Sequence, residues 1–452
     1  MAGVCGGRAM KNRVVGWRWI SGVYCRAAKA ALILVVALAA VTAAAQAGHY
    51  KVLYYFTGGA DGAYPQGHVV LGKNGAIYGA ALFGGNTSCA ANLPECGEVF
   101  EVDKAGKETV LYGFTGGNDG AGPFGSLIQD SKGNLYGTTL EGGSGTCEWD
   151  HTVVGCGTVF KLSPPKEKGK PWTEKILYSF QGSDGEWPYA GLVQDASGNL
   201  FGTTSTGGAG NCGGYGCGTV FELDNAGTEK VLYSFAGGAD GYLPFGGLTL
   251  DAAGNLYGVT NNGGDLQDCG NTGCGVVFGV SKSGKESVLY SFTGTNGDGQ
   301  QPMYVTLVRD SVGNLYGTTE YGGTPEDGVT FGTVFKVTPK GKETVLYSFQ
   351  GFLDGGYPLV GLVADPKGNL YGSTWDWGKF AAGTLFEITK SGSFKVLHQI
   401  QLTDGDGGYG ALTWYPDASP YGDGSLYGAG EGAGDYRYCG GAGCGTVFKL
   451  TP

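Results

Sequence analysis

Seven Asp-Gly pairs set the first chemical question: Asp61, Asp119, Asp184, Asp240, Asp298, Asp354 and Asp404 each precede a glycine. In the first six, proline follows four residues after the aspartate; the seventh has Gly408 there. Carboxylates repeated in this way admit two kinds of chemistry. Asp-Gly is a favoured tight-turn pair, in which the side chain serves its own backbone. Alternatively, a ring of acids on one face frames a cation or a polyol. Calcium takes several oxygen ligands, yet the chain has no EF-type loop and no Asp-rich nonapeptide array, so Ca²⁺ and any other metal stay open. Aromatic residues lie in the same neighbourhood. Trp187, Tyr242 and Tyr357 sit beside the repeated Asp, while Trp149, Tyr215, Trp375, Trp377 and Tyr436 fall in a second set of loops. Flat rings next to carboxylates suit a neutral sugar through stacking and hydrogen bonds; the same rings could simply pack loops together. Asp184, Trp187, Asp240, Tyr242, Asp354, Tyr357, Trp375 and Trp377 are therefore the candidate ligand-binding residues. The sixth unit is the expected centre, because its two tryptophans have no obvious core slot.

Catalytic residues are not selected. There is no Gly-x-Ser-x-Gly elbow, no His-Glu-x-x-His and no phosphate-cradling loop. The four histidines, His49, His68, His151 and His398, have no persuasive nucleophile partner. Carboxylate-only glycoside hydrolysis needs just two correctly spaced acids, so it stays open.

Ten of the twelve cysteines fall in five local pairs: Cys89/Cys96, Cys147/Cys156, Cys212/Cys217, Cys269/Cys274 and Cys439/Cys444. In each pair the second cysteine directly precedes a glycine that opens a strand phrase. Zinc would need about four ligands, and only His151 lies near a pair. Five loop-stapling disulfides are the expectation, each worth roughly 2 kcal/mol in the chain-entropy model. Two equivalent loops lack cysteine and carry Thr324-Pro-Glu-Asp327 and Trp375-Asp-Trp-Gly-Lys379 instead.

The elements that position these loops repeat. Val-Leu-Tyr or a variant places Tyr at 54, 112, 178, 233, 290 and 347, with His398 in the seventh place. Gly-Thr-Val-Phe or a variant ends at Phe100, Phe160, Phe221, Phe278, Phe335, Phe386 and Phe448. Gly-Asn-Leu-Tyr-Gly-Thr-Thr stands intact at 133–139 and 313–319. Each unit thus holds four short β-rich runs: A (Gly-Leu-x-x-Asp), B (Gly-Asn-Leu-Tyr-Gly), C (Gly-Thr-Val-Phe) and D (Val-Leu-Tyr-Ser-Phe), separated by turn residues. Four strands per unit predict an all-β, seven-bladed β-propeller of antiparallel blades. The first unit opens on a D run and the last closes on a C run, so the N-terminal strand is expected to close the ring. D-to-A and B-to-C connections then share one face, which carries every candidate residue. The Asp-x-x-Gly-Asn turns at 130–134, 195–199, 251–255, 310–314 and 365–369 occupy the other.

Composition agrees. Gly 91 and Pro 16 of 452 residues would suggest disorder, but 12% aromatics and 41% hydrophobics supply a core. So many glycines also disfavour long helices. The first 47 residues have six basic residues, no acid, an apolar run at 30–45 and then Ala45-Gln46-Ala47. This reads as a secretory signal cut after Ala47, with a run short for a membrane span. The domain then covers 48–452 outside the cytoplasm, with no membrane span. Its charge becomes 29 − 6 = 23 basic against 40 acidic residues, a net of −17, which repels nucleic acid.

The recurring Val-Leu-Tyr-Ser-Phe, Gly-Asn-Leu-Tyr-Gly-Thr-Thr, Gly-Gly and Gly-Thr-Val-Phe phrases resemble the GloVer tandem repeat of bacterial exported proteins, across 51–452. The resemblance implies an exported repeat protein without an established activity. From the residues, the expected function is a binding module for a glycan or a surface partner. A carboxylate-dependent glycoside hydrolase or lyase and a structural envelope protein are the alternatives.

Overall fold

The computed structural model describes residues 49–452 except 86–88, 90–95, 150, 168, 326–327, 406–409, 416–423, 433–438 and 440–442. The expected leader, Gly408, Asp327 and Tyr436 lie outside the described residues. Seven four-stranded antiparallel sheets form a β-propeller. The blades cover 63–113, 128–179, 193–234, 249–291, 308–348, 363–399 and 413–451, the last joined by 49–55. Blade 4 shows the pattern: A Thr249–Leu250, B Leu256–Thr260, C Val276–Val280 and D Glu286–Ser291, hydrogen-bonded in that order.

Strand C is apolar because neighbouring blades cover both its faces. Val159, Phe160 and Leu162 are all fully buried. In the first six blades the phenylalanine of strand C meets the phenylalanine ending the preceding D strand edge-on, as Phe160 meets Phe114 at 5.1 Å and Phe335 meets Phe292 at 5.0 Å. Such contacts add to area burial. The glycine of strand B makes room for that ring: a Cβ on Gly258 would stand 2.6 Å from Phe278 Cζ. Above it, threonines of B and C share a buried hydrogen bond, Thr204 to Thr219 at 2.8 Å.

Ring closure follows the phase of the repeat. His49–Tyr55 pairs antiparallel with Thr446–Thr451, His49 opposite Thr451 and Tyr55 opposite Thr446. This removes an open edge that would otherwise invite pairing with another chain.

The Asp-x-x-Gly-Asn turns are structural. Asp251 Oδ1 accepts from the Ala253 and Asn255 amides at 2.9 Å, and Oδ2 from Asn255 Nδ2 and the Tyr257 hydroxyl at 3.1 Å. At the axis, the inner strands nearly touch, with Tyr304 N–H donating to Leu359 O at 3.0 Å across two blades. Phe124, Tyr189, Phe245 and Tyr304 meet there, with centroid separations of 5.1 to 6.2 Å. Beside them, a cavity of about 30 Å³ bordered by His68, Ser126, Gly191 and Thr306 has room for a water or two. Among the described residues, these rings pack closely together at the axis.

Candidate functional site

The seven Asp-Gly carboxylates go to the gaps between blades, each tied to the D strand that precedes it. Asp61 accepts from the Tyr54 hydroxyl at 2.8 Å, the Thr57 amide at 2.9 Å and Thr57 Oγ1 at 2.6 Å. Asp240 accepts from Tyr233 at 2.9 Å and the Ala236 amide at 2.7 Å. Asp354 accepts from Tyr347 and the Gln350 amide, both at 2.9 Å. Asp119, Asp184 and Asp298 repeat the tyrosine bond, and Asp404 meets His398 Nε2 at 2.8 Å instead. Turn chemistry and strand anchoring thus occupy Asp184, Asp240 and Asp354. Among the described residues, no three Asp, Glu, His or Cys side chains gather in a way that could hold a metal ion.

All five cysteine pairs form disulfides: Cys89–Cys96, Cys147–Cys156, Cys212–Cys217, Cys269–Cys274 and Cys439–Cys444, with Cα separations of 5.0 to 5.6 Å. The five expected loop staples are present, and the second cysteine of each pair is also a core residue. Cys96, Cys156, Cys217, Cys274 and Cys444 are all fully buried, whereas their partners are only half-buried. Cys96 packs in the cluster of Val99, Phe114 and Phe160. Cys274 joins Val277, Phe292 and Phe335, and Cys444 joins Phe56, Phe100 and Val447. The reason is position: one glycine separates each from strand C, which neighbouring blades cover on both faces. Their carbonyls also serve the following D-to-A loop, Cys96 O accepting from the Gly122 amide at 2.9 Å. Cys274 O accepts from Gln301 and Cys444 O from Tyr64, both at 2.8 Å. Each bridge therefore ties a B-to-C loop to the core, and two of them pin loop aromatics.

The aromatic candidates divide. Trp187 and Tyr357 directly precede proline and adopt left-handed backbone, at φ 56° for both. Tyr64, Leu243 and Gln301 do the same at 55–57°, and Gly122 at 65°. Leu243, not Tyr242, is therefore the counterpart of Trp187 and Tyr357. Tyr242 bridges Asn262 as Glu186 bridges Thr206, so Tyr242 sits one position before the left-handed residue that Trp187 and Tyr357 supply.

Trp377 has a packing role that its sequence did not show. Phe331 stands where other blades have the second cysteine and is 5% exposed. Its carbonyl accepts from the Tyr357 amide at 2.8 Å, as the cysteine carbonyls do in their blades. Its ring crowds Gly351, as the Cys212 sulfur crowds Gly237. Trp377 packs edge-on against Phe331 at 5.0 Å and Phe352 at 6.3 Å. Aromatic packing replaces the missing sulfurs. Trp375 is half-buried, its amide bonded to Tyr357 O at 3.1 Å.

A grouping that sequence alone could not assemble joins blades 2 and 3. Trp149 lies on a small hairpin, Glu148–Trp149 paired with Thr152–Val153, inside the loop closed by Cys147 and Cys156. Its ring meets Trp187 at 5.2 Å and 70°. Tyr215, held by the Cys212–Cys217 loop, lies 6.4 Å from Trp187 at 33° and is 54% exposed. Next to Trp187 in the chain, Glu186 is only 8% exposed, and burial pushes its carboxyl up to about 7. The Trp187 indole nitrogen is sealed from water without a partner. The result is a stepped aromatic wall, with the buried Glu186 as chain neighbour of its central ring. A comparable carboxyl, Glu320, is 6% exposed and also raised to about 7 by burial. It adjoins Tyr321, whose ring meets Tyr357 at 5.5 Å.

The family model of the Gloeobacter/Verrucomicrobia repeat matches residues 39–271 and 266–452, essentially the whole described chain. The chain belongs to this repeat family. Membership accounts for the recurring phrases of the Gloeobacter/Verrucomicrobia repeat but assigns no reaction to them. No curated protein matches. Among solved structures, the repeat protein is similar to a gluconolactonase candidate from a structural-genomics programme, at 14% identity and TM-score 0.40, covering 78% of this chain and 94% of that one. It is also similar to a luciferin-regenerating enzyme, at 11% identity and TM-score 0.40, covering 73% and 91%. Likenesses this distant transfer no activity.

Proposed function

We propose that this chain is an extracytoplasmic carbohydrate-binding propeller that grips a neutral glycan on its loop face. The Trp149–Trp187–Tyr215 wall carries the reading. An exposed ring backed by a buried one offers an apolar platform for a sugar face. Two disulfides hold the loops that bring Trp149 and Tyr215 there, which limits the ordering cost of binding. The five disulfides suit an oxidising compartment, and cleavage after Ala47 belongs to the same reading.

The test is a glycan array followed by calorimetry on the mature protein. Trp149→Ala with Tyr215→Ala should weaken binding about tenfold, or about 1.4 kcal/mol, and leave thermal unfolding nearly unchanged. Trp375→Ala reports on the sixth unit. Absence of any glycan ligand, or full binding by the Trp149/Tyr215 variant, would overturn the proposal. The hydrolase alternative draws on Glu320, a buried acid still protonated near neutrality. New reducing ends in the same mixtures, lost in Glu320→Gln, would replace binding by catalysis.

A further inference from the structure

The first five gaps between blades repeat one arrangement of three side chains. A D strand supplies a tyrosine, the loop after it an aspartate, and the D strand of the following blade a glutamate near its start. The sets are Tyr54–Asp61–Glu108, Tyr112–Asp119–Glu174, Tyr178–Asp184–Glu229, Tyr233–Asp240–Glu286 and Tyr290–Asp298–Glu343. The glutamate reaches back because the C-to-D turn of each blade lies along the preceding blade: a Cβ on Gly106 would stand 2.9 Å from Leu53 O.

In all five glutamates, Oε1 is sealed from water and has no hydrogen-bond partner. The aspartate facing it is already an acceptor, filled by the tyrosine hydroxyl and a backbone amide, as Asp240 is by Tyr233 and Ala236. Two ionised carboxylates in this setting can only repel. One proton on the glutamate removes both that repulsion and the cost of an ionised oxygen sealed from water.

We propose that these five carboxyl pairs are proton-operated clasps between blades, closed in mild acid and released above neutrality. The remaining gaps have no such pair. Phe394 takes the glutamate position in the sixth and stacks on Tyr347 at 3.8 Å. In the seventh, Tyr50 stacks on His398 at 4.1 Å and donates its hydroxyl to Asp404 O at 2.9 Å. Aromatic stacking therefore stands in place of the carboxyl pair in two gaps out of seven.

The charged surroundings support the assignment. Burial first, and then the facing aspartate, pushes Glu108, Glu174, Glu229, Glu286 and Glu343 up to about 7. Lys107 partly offsets this at Glu108. The first gap also holds Glu98, where most blades have threonine in strand C. It is fully buried with neither carboxyl oxygen partnered, and burial, then Glu108 and Asp61, raises it to about 9. A cation suits the site less well than a proton. Both Asp61 oxygens already serve Tyr54, Thr57 and Gly59.

The sign follows from linkage. An acid raised from 4.5 to about 7 on folding binds extra protons in the folded state between those values. Its stabilising contribution is full below the lower value, falls through the window and is lost above the upper. The test is thermal unfolding of the mature protein at about pH 5.5 and about pH 8.5. The wild-type midpoint should fall by roughly 5 °C or more at the higher pH. The variant carrying Glu108→Gln, Glu174→Gln, Glu229→Gln, Glu286→Gln and Glu343→Gln should lose most of that dependence and match or exceed wild type at the higher pH. Should it fail to fold, Glu229→Gln and Glu286→Gln singly should each raise the midpoint there. A wild-type midpoint that is equal or higher at the upper pH overturns the proposal, as do glutamine variants with the wild-type response. Restoration of the wild-type midpoint by millimolar calcium also overturns it, in favour of an ion site.

Discussion

Phe331 shows how one side chain can stand in for a covalent bond. It fills the slot that a disulfide fills in five other blades and supports Trp377 on its edge. Phe331→Ala should therefore cost about 3 kcal/mol, measured by urea unfolding, which is more than the roughly 2 kcal/mol expected from opening one short disulfide loop. A loss below about 1 kcal/mol would show that the fifth loop repacks. The cysteine pairing was legible because each second cysteine stands directly before the strand-opening glycine. The burial of Cys96, Cys274 and Cys444 was not, since the side chains that cover them come largely from neighbouring strands and blades. Replacement of such a cysteine by phenylalanine was hidden too, because nothing local says which ring fills a space vacated by sulfur. The Tyr–Asp bonds were open to reading, at a spacing of seven residues for Asp61, Asp119, Asp240 and Asp354. The glutamate facing each pair belongs to the next blade, where sequence spacing has no purchase.

Strand A carries the largest departure from the expected elements. The Gly-Leu-x-x-Asp run gives only a two-residue strand in blades 2 to 6, against the nine-residue Ala63–Leu71 in blade 1. Blade 1 holds the same left-handed residue and proline, Tyr64–Pro65, inside its longer strand, so this motif alone does not set strand length. Two glycines in blade 2 separate the causes. Gly122 has φ 65°, and a Cβ there would meet nothing closer than Leu82 Cδ1 at 3.4 Å. Gly122→Ala should cost only the left-handed penalty, about 1 kcal/mol. Gly125 has ordinary backbone, yet a Cβ would stand 2.5 Å from the Ala190 carbonyl oxygen of the next blade. Gly125→Ala should cost about 3 kcal/mol, as overpacking does when backbone must move. Equal losses in denaturant unfolding would contradict this account of the narrow axis.

At the scale of the molecule, both the strand count and the closure were legible, because the phase of the repeat leaves a D run at the start and a C run at the end. What stayed hidden was which loops of different blades meet, as Trp149 meets Trp187. Removing residues 49–56 should leave one edge of strand C of the last blade unpaired and empty the slot where Phe56 meets Phe100 at 5.0 Å. Size-exclusion chromatography should then show association in place of a single monomer peak. Joining Pro452 to His49 through a turn like Asp103–Lys107 should keep the fold and raise its unfolding midpoint. Closure also puts a clock on biosynthesis. The partner of His49 is Thr451, so the first strand emerging from the ribosome waits for almost the last. At about 5–20 residues per second that delay is on the order of half a minute. Throughout it the growing chain presents an unfinished edge, and a prematurely terminated product has no ring to close.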